Sequence, residues 1–170
     1  FSNYLKKLNL KKGDRVAAYV PNKIETIISF LACAKNGIIW SSCSPDFGVQ
    51  GVVDRFKQIE PKVLITSDYY FYNGKKISIL DKVDAVLKQI PSIEKVIVYN
   101  YNKKERENLK NFIDFEETLN IESDETFKRF EFNHPIYILF SSGTTGKPKC
   151  ITPWRGGVDI FVGIGNNVPD

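Results

Sequence analysis

The stretch RVAAYVPNKIETIISFLACAKNGIIWSS, residues 15–42, decides how this chain is expected to fold. RVAAYV is a continuous apolar run of strand length, and Pro21 and Asn22 end it. Four apolar residues then recur at helical spacing: Ile24, Ile27, Ile28 and Leu31. Gly37 ends this helix, and IIWSS, which starts at Ile38, is a second strand. The stretch therefore predicts a strand, a helix and a strand, which together form a βαβ unit.

Two helix starts are predicted from residues that favour the N-cap position. Asn22 is expected to cap the first helix of this unit, with Glu25 three residues later reaching back to the cap. Asp46 is expected to cap the next helix in the same way, because its carboxylate can accept hydrogen bonds from the first free backbone N–H groups.

The same alternation continues along the rest of the chain. Further strands are expected at residues 62–66, 95–99 and 135–140, and further helices at residues 49–59 and 79–90. YYFYNGKK, residues 69–76, predicts a short loop or hairpin around Asn73-Gly74. Residues 100–131 are interpreted as a surface connector with one or two short helices, laid on the core by its aromatic residues. The pattern predicts an α/β fold in which βαβ units form a mostly parallel sheet covered by helices.

Composition and charge narrow the class of protein. The net charge of +4 is spread over 170 residues without a dense basic tract, which disfavours a nucleic-acid partner. No apolar run reaches membrane-spanning length, and no membrane partner is expected. Cys33, Cys43 and Cys150 are scattered and odd in number, which fits a reducing, cytoplasmic location. We expect no metal site here, and His134 is interpreted as a loop contact. The absence of methionine, with Phe1 opening inside a helix-like pattern, suggests a piece of a longer protein.

A second stretch, FSSGTTGKPK from Phe140 to Lys149, carries the chemistry. Two glycines let the backbone turn sharply, so that successive N–H groups can surround an anion, while hydroxyls add donors and lysines add positive charge. Only two residues separate Gly143 from Gly146, and Pro148 stands where a magnesium-binding hydroxyl would be, which excludes the common P-loop motif. A surface turn is the alternative, but the length of the run favours a phosphate loop. The loop directly follows the last expected strand, where α/β proteins bind ligands.

The run from Ser141 to Lys149 resembles the phosphate-loop signature of the adenylate-forming enzymes, which include the acyl-CoA synthetases. IWSSCSPDFG, from Ile39 to Gly48, is similar to one branch of that family, the acetoacetate–CoA ligases. The resemblance places residues 1–150 within the large N-terminal, AMP-binding domain of such an enzyme. Residues 151–170 depart from it and are treated as a divergent tail, because Pro153 stands where the family has a histidine and glycines interrupt the expected helix.

The resemblance implies an AMP-forming reaction that belongs to lipid metabolism. A short-chain acid, with acetoacetate favoured, reacts with ATP to give an acyl-adenylate and diphosphate, and coenzyme A then displaces AMP. It implies that the β- and γ-phosphates are held by the following residues: Ser141, Ser142, Gly143, Thr144, Thr145, Gly146 and Lys149. Among them, Thr144 and Lys149 are expected to be catalytic, and Lys147 to be a solvated charge.

Other parts of the implied site are less complete in this sequence. Lys75 matches a position that contacts coenzyme A in relatives, although Tyr72 replaces a basic residue beside it. The ligands of Mg²⁺ and the catalytic lid are expected outside this segment, so the 170 residues alone are expected to be inactive. Two alternatives remain open: a non-catalytic or decayed nucleotide-binding module, and a ligase for acetate or another short-chain acid. The oligomeric state is left open.

Overall fold

The computed structural model describes residues 1–100, 112–122, 126–141, 146–153 and 160–162. In chain order, the elements as far as residue 114 are α1 (Ser2–Lys7), β1 (Arg15–Tyr19), α2 (Ile24–Asn36), β2 (Ile39–Cys43), α3 (Val49–Ile59), β3 (Val63–Ser67), β4 (Tyr69–Tyr72), β5 (Lys75–Ser78), α4 (Leu80–Leu87), β6 (Lys95–Tyr99) and β7 (Ile113–Asp114). The main feature is a five-stranded parallel sheet with the strand order β2-β1-β3-β6-β7. The predicted α/β class and the βαβ rhythm are confirmed.

Helices cover both faces of this sheet. Side chains alternate between the faces of a strand, and in β1 Ala17 and Tyr19 join one apolar cluster with residues of α3 and α4. Val16 and Ala18 join a second cluster with residues of α1 and α2. Since both faces are buried, the strands are apolar at nearly every position, which is the pattern that the sequence displays.

The orientation of α2 differs from that of a typical amphipathic helix. Its buried residues are small (Ser29, Ala32 and Cys33), which allows the helix to lie close to the sheet. Three residues of the apolar series that predicted the helix, Ile24, Ile27 and Leu31, are 69%, 60% and 58% exposed. The helix itself is confirmed, and the spacing of its large apolar residues describes its outer face.

The predicted helix caps are wrong. The N-cap residue of α2 is Lys23 and that of α3 is Gly48, and neither helix start has a hydrogen bond from a capping side chain. The Asp46 carboxylate instead accepts a hydrogen bond from the Ser44 hydroxyl, within the turn that precedes α3. Short polar side chains bond to local turns as readily as to helix starts, and here the turn is the partner.

The hairpin between β4 and β5 is confirmed. The two strands pair antiparallel, with Tyr72 opposite Lys75. Asn73 and Gly74 have φ values of 46° and 73°, the left-handed conformation that a two-residue hairpin turn requires at both positions.

The last strand predicted from the sequence lies elsewhere than expected. Tyr137 forms a parallel bridge with Trp40 at the edge of the main sheet, but the chain then leaves that sheet. Strands β8 (Leu139–Ser141), β9 (Lys149–Pro153) and β10 (Ile160–Val162) form a separate antiparallel sheet in the order β10-β9-β8. The phosphate loop therefore connects two antiparallel strands, and the expectation that it follows a strand of the parallel sheet is wrong. The tail also contributes a strand, β10, to this sheet.

The connector is attached to the main sheet and to the end of α2. Within its described part it holds a 3-10 turn at Glu116–Leu119, and Phe115 is buried while Phe127 is 80% exposed. The aromatic residues of the connector thus reach the core only in part. His134 is buried and its Nε2 lies 2.8 Å from the Gly37 carbonyl, which agrees with its interpretation as a loop contact. Gly37 has φ 70°, and a Cβ there would lie 2.4 Å from the nearest ring atom of Phe130.

In the described ranges, no helix has the length and apolar character needed to cross a bilayer.

Candidate nucleotide and acyl-transfer site

The phosphate loop is the connection of a β-hairpin. Ser141, the last residue of β8, lies directly opposite Lys149, the first residue of β9. The loop thus leaves and enters the sheet at two residues that were predicted to bind phosphate, and their backbones are held together by strand pairing. Ser142, Gly143, Thr144 and Thr145 lie outside the described residues.

Gly146 supports the predicted loop conformation. Its φ is 141°, which residues with a Cβ rarely adopt, and among the described residues other than its chain neighbours no atom lies within 4 Å of the position that a Cβ would take. Glycine is therefore required by the backbone and not by crowding. Space left beside the backbone suits a loop that must approach a ligand closely, and Lys147 and Lys149, just beyond it, are both exposed.

The base of the hairpin is attached to the main core. Phe140 and Cys150 are paired across the two strands, and both pack against the cluster that contains α3. The Ser41 hydroxyl of β2 donates a hydrogen bond to the Ile138 carbonyl at 2.9 Å. These contacts connect the two ends of the loop to buried, ordered parts of the fold.

One contact to the loop was not predicted from the sequence. The Gln58 side chain of α3 donates a hydrogen bond from Nε2 to the Pro148 carbonyl, at 2.9 Å. The two residues are 90 positions apart in the chain, so no local sequence pattern indicates this contact. Only the tertiary structure brings them together.

A separate cavity of about 320 Å³ opens at the carboxyl ends of β1 and β2 and beside β4. Because β1 lies between β2 and β3, its own connection and that of β3 leave in opposite directions, which creates a crevice at this edge of the sheet. The cavity is lined by polar residues, among them Asn22 and Thr26, and by Phe71 and Tyr72, whose rings are exposed. Rings and polar groups together are a combination that suits a nucleotide.

Hydrogen bonds from two other elements hold one wall of this cavity, which consists of Ser44, Pro45 and Asp46. The Tyr19 hydroxyl donates to the Pro45 carbonyl at 3.0 Å and also lies within hydrogen-bond distance of the Phe47 carbonyl. Burial, reinforced by nearby Tyr70, raises the pKa of the Tyr19 phenol above its ordinary value, so this donor keeps its proton. Lys82 of α4 donates to the Pro45 carbonyl as well, at 3.3 Å. Sequence reasoning missed both anchoring residues, because they are remote from the turn in sequence.

Cys43 lines the same cavity but is not a nucleophile at neutral pH. Burial raises the pKa of its thiol to about 12, against a smaller opposing effect of Arg55. The thiolate, which is the reactive form, is therefore scarce near neutral pH. Cys43 is therefore a buried packing residue of the core cluster at the cavity wall.

The hairpin places two neighbouring lysines differently. Lys75 lies opposite Tyr72, whose ring lines the cavity. Lys76 has its ammonium 4.1 Å from the centre of the Tyr69 ring, a cation–π contact that engages it with the protein itself. Lys76 is thus engaged within the hairpin, and the contact of Lys75 with coenzyme A stays a prediction.

No group of three or more His, Cys, Asp or Glu residues that could hold a metal ion occurs in the part of the chain that the structure describes. The prediction that Mg²⁺ finds its ligands outside this segment stays a prediction.

A parallel α/β sheet beside a glycine- and hydroxyl-rich hairpin loop with a lysine at its exit is the arrangement expected from the resemblance to the adenylate-forming enzymes. The family model described as AMP-binding enzyme matches residues 1–152, and the chain belongs to this family.

Three relatives show which members of the family this chain is similar to. The chain is 42% identical over 170 residues to the acetoacetyl-CoA synthetase of Xenopus tropicalis, covering 94% of this chain and 25% of that protein. It is 48% identical over 149 residues to the acetoacetyl-coenzyme A synthetase of Rhizobium meliloti (strain 1021), covering 85% and 23%. The solved structure of acetoacetyl-CoA synthetase from Streptomyces lividans superimposes with a TM-score of 0.86 at 37% identity, covering 92% of this chain and 24% of that one. The chain therefore spans about a quarter of the length of these relatives.

Proposed function

We propose that this chain is the phosphate-loop segment of an ATP-dependent acid–CoA ligase that forms AMP and diphosphate, with acetoacetate as the favoured acid. The observation that carries the proposal is the hairpin loop whose ends, Ser141 and Lys149, lie opposite each other. The names of the relatives, which are acetoacetyl-CoA synthetases, support the choice of acid.

The loop is proposed to act on ATP through fixed hydrogen-bond donors and one charge. Ser141, Ser142, Gly143, Thr145 and Gly146 hold the β- and γ-phosphates through their hydroxyl and backbone N–H groups. Thr144 and Lys149 act on the charge that develops on the phosphoryl oxygens and on the departing diphosphate as the acid attacks the α-phosphorus. Donors that are already in place stabilise such charge without a cost of reorganisation during the reaction.

The nucleotide end of coenzyme A is proposed to bind in the cavity at the carboxyl ends of β1 and β2. Phe71 and Tyr72 line the cavity and offer aromatic faces for a base. Lys75, which is paired with Tyr72 in the hairpin, offers a charge for a phosphate. Tyr72 stands where relatives of the acetyl-CoA synthetase type carry a basic residue, and we infer that its ring takes part by stacking instead.

Magnesium is proposed to arrive with ATP and to be held by residues outside this segment. The substrates are small molecules, and we infer a cytoplasmic enzyme without a nucleic-acid or membrane partner. The dispersed charge of the sequence and its three cysteines, which form no disulfide in the structure, support this inference.

The proposed function is tested by acid-dependent ATP–diphosphate exchange in the full-length protein. We expect exchange with acetoacetate and less with acetate, and we expect CoA thioester formation when CoA is added. Exchange with acetate but not acetoacetate would assign the protein to another short-chain acid. Absence of exchange with every short-chain acid, while ATP still binds, would favour the non-catalytic module.

Lys75 provides a test of the coenzyme A site. The Lys75→Ala variant is expected to raise the KM for CoA about two- to fivefold, the size of an exposed charge–phosphate contact. Exchange measured without CoA should not change, since it reports only on the first half-reaction. The Lys76→Ala variant is the matched control, because its ammonium is engaged with the Tyr69 ring. Equal KM values for CoA in the two variants would contradict the role of Lys75.

A further inference from the structure

Gln58 connects helix α3 to the exit of the phosphate loop through a hydrogen bond. Its Nε2 has two hydrogens, and both are used: one bond goes to the Asp54 carbonyl at 2.6 Å, the other to the Pro148 carbonyl at 2.9 Å. The first bond lies within α3, and the second crosses to the loop. An amide with both hydrogens committed has one preferred orientation, so the carbonyl of Pro148 is met by a donor whose direction is fixed.

Helix α3 is a firm base for this donor. One face of the helix is buried in the core through the following residues: Val52, Val53, Phe56 and Ile59. Its end is held by Arg15 of β1, whose guanidinium donates to the Ile59 and Glu60 carbonyls. Gln58 lies in this last turn, so the position of its backbone is set by the core and by β1.

The carbonyl that Gln58 contacts belongs to the same peptide group as the nitrogen of Lys149. The orientation of this planar group determines the direction in which the Cα–Cβ bond of Lys149 points. Pro148 has a fixed φ and no N–H, so its carbonyl is the only polar backbone atom through which residue 148 can be held. On the other side, Lys149 is paired with Ser141. The peptide group before Lys149 is thus held from both sides.

We propose that Gln58 is a positioning residue for Lys149: its hydrogen bond to Pro148 fixes the direction from which the lysine side chain enters the phosphate site. The proposal rests on the function proposed above, because it assigns Gln58 to the first half-reaction. Lys149 is exposed and its four-carbon stem is flexible, so an ordered starting point reduces the conformational freedom lost when the ammonium meets phosphate.

The test compares Gln58→Ala with Gln50→Ala in the full-length enzyme. Gln50 is the matched control because it is the same residue type on the same helix, and the bond that its Nε2 makes lies within α3, to the Asp54 carboxylate at 2.7 Å. Loss of one hydrogen bond of this kind is expected to lower kcat for acetoacetate-dependent ATP–diphosphate exchange about three- to tenfold in Gln58→Ala. The KM for acetoacetate should stay constant, and Gln50→Ala should retain the wild-type kcat.

Two further variants separate positioning from a general effect on structure. Gln58→Glu keeps the shape of the side chain but removes the donor, so it is expected to lose at least as much kcat as Gln58→Ala. In a Lys149→Ala background, Gln58→Ala should have almost no additional effect on kcat, since the group that it positions is gone. A purely structural role predicts the same fold-loss in both backgrounds.

The outcomes also separate this proposal from the proposed function. If the wild-type enzyme performs the exchange and Gln58→Ala equals Gln50→Ala, or if the loss persists in full in the Lys149→Ala background, the role of Gln58 is overturned while the ligase function stands. If the wild-type enzyme performs no exchange with any short-chain acid, the ligase function itself fails.

Discussion

Replacement of Lys149 by alanine is expected to lower kcat/KM for acetoacetate-dependent ATP–diphosphate exchange by about 10²–10³-fold. Lys149 supplies a full positive charge at the exit of the phosphate loop, and its backbone is fixed opposite Ser141. Removal of a fixed donor that stabilises transition-state charge typically has an effect of this size. The measurement is the rate of exchange in the full-length protein at saturating acid over a series of ATP concentrations.

Lys147 is the matched control for this experiment. It is a lysine two positions away that is also exposed, and the resemblance to the phosphate-loop signature predicts no phosphate contact for it. Lys147→Ala is expected to change kcat/KM less than about threefold, because an exposed charge that contacts no substrate contributes little. Comparable losses in both variants would mean that the loop acts through its overall charge, and the specific role of Lys149 would be refuted.

The fold was predicted from the sequence where short-range rules apply. Continuous apolar runs predicted buried parallel strands, and the strands Arg15–Tyr19 and Lys95–Tyr99 are found at those places. Asn73-Gly74 predicted a hairpin because few residue pairs adopt the two positive φ values that its turn needs. In such cases the signal resides in a few consecutive residues, and no distant contact is needed to interpret it.

Features that depend on distant contacts were missed. The departure of the chain from the edge of β2 after Tyr137 depends on how Ile138 and Phe140 pack on the core, which no local pattern records. The outward orientation of α2 depends on the close approach allowed by small residues such as Ala32. The helix cap predicted at Asp46 failed for a different, local reason, because its carboxylate bonds to Ser44 within its own turn.

In the candidate site, too, local features were predicted from the sequence and distant contacts were not. The residue types of the phosphate loop follow from its chemistry, and the geometry of Gly146 agrees with the need for glycine there. The residues that support the site could not be found from the sequence: Gln58 behind Pro148, and Tyr19 and Lys82 behind Pro45. Each acts through a side chain that donates to a backbone carbonyl far away in the chain. A carbonyl is present at every residue, so the sequence carries no mark of which one is bound.

The packing of α3 provides the second large effect. Phe56→Ala is expected to lower the free energy of unfolding by about 3–5 kcal/mol, because Phe56 is fully buried in the cluster between α3 and the sheet and its loss leaves a cavity. The measurement is denaturant unfolding of the full-length protein, followed at the transition that includes this domain. The same variant should weaken ATP–diphosphate exchange below the temperature of unfolding, since a loosened α3 no longer holds Gln58 against Pro148.

Phe132 is the control for aromatic truncation, because it is 70% exposed and Phe132→Ala should change stability by less than about 0.5 kcal/mol. If Phe56→Ala lowers the free energy of unfolding by no more than Phe132→Ala does, the burial of α3 on the sheet is contradicted. If Phe56→Ala causes a large loss of stability but retains full kcat at low temperature, Phe56 is confirmed as a core residue. Its packing then has no part in the alignment of Lys149. The two readouts together determine whether the core beneath α3 supports the phosphate loop or only the fold.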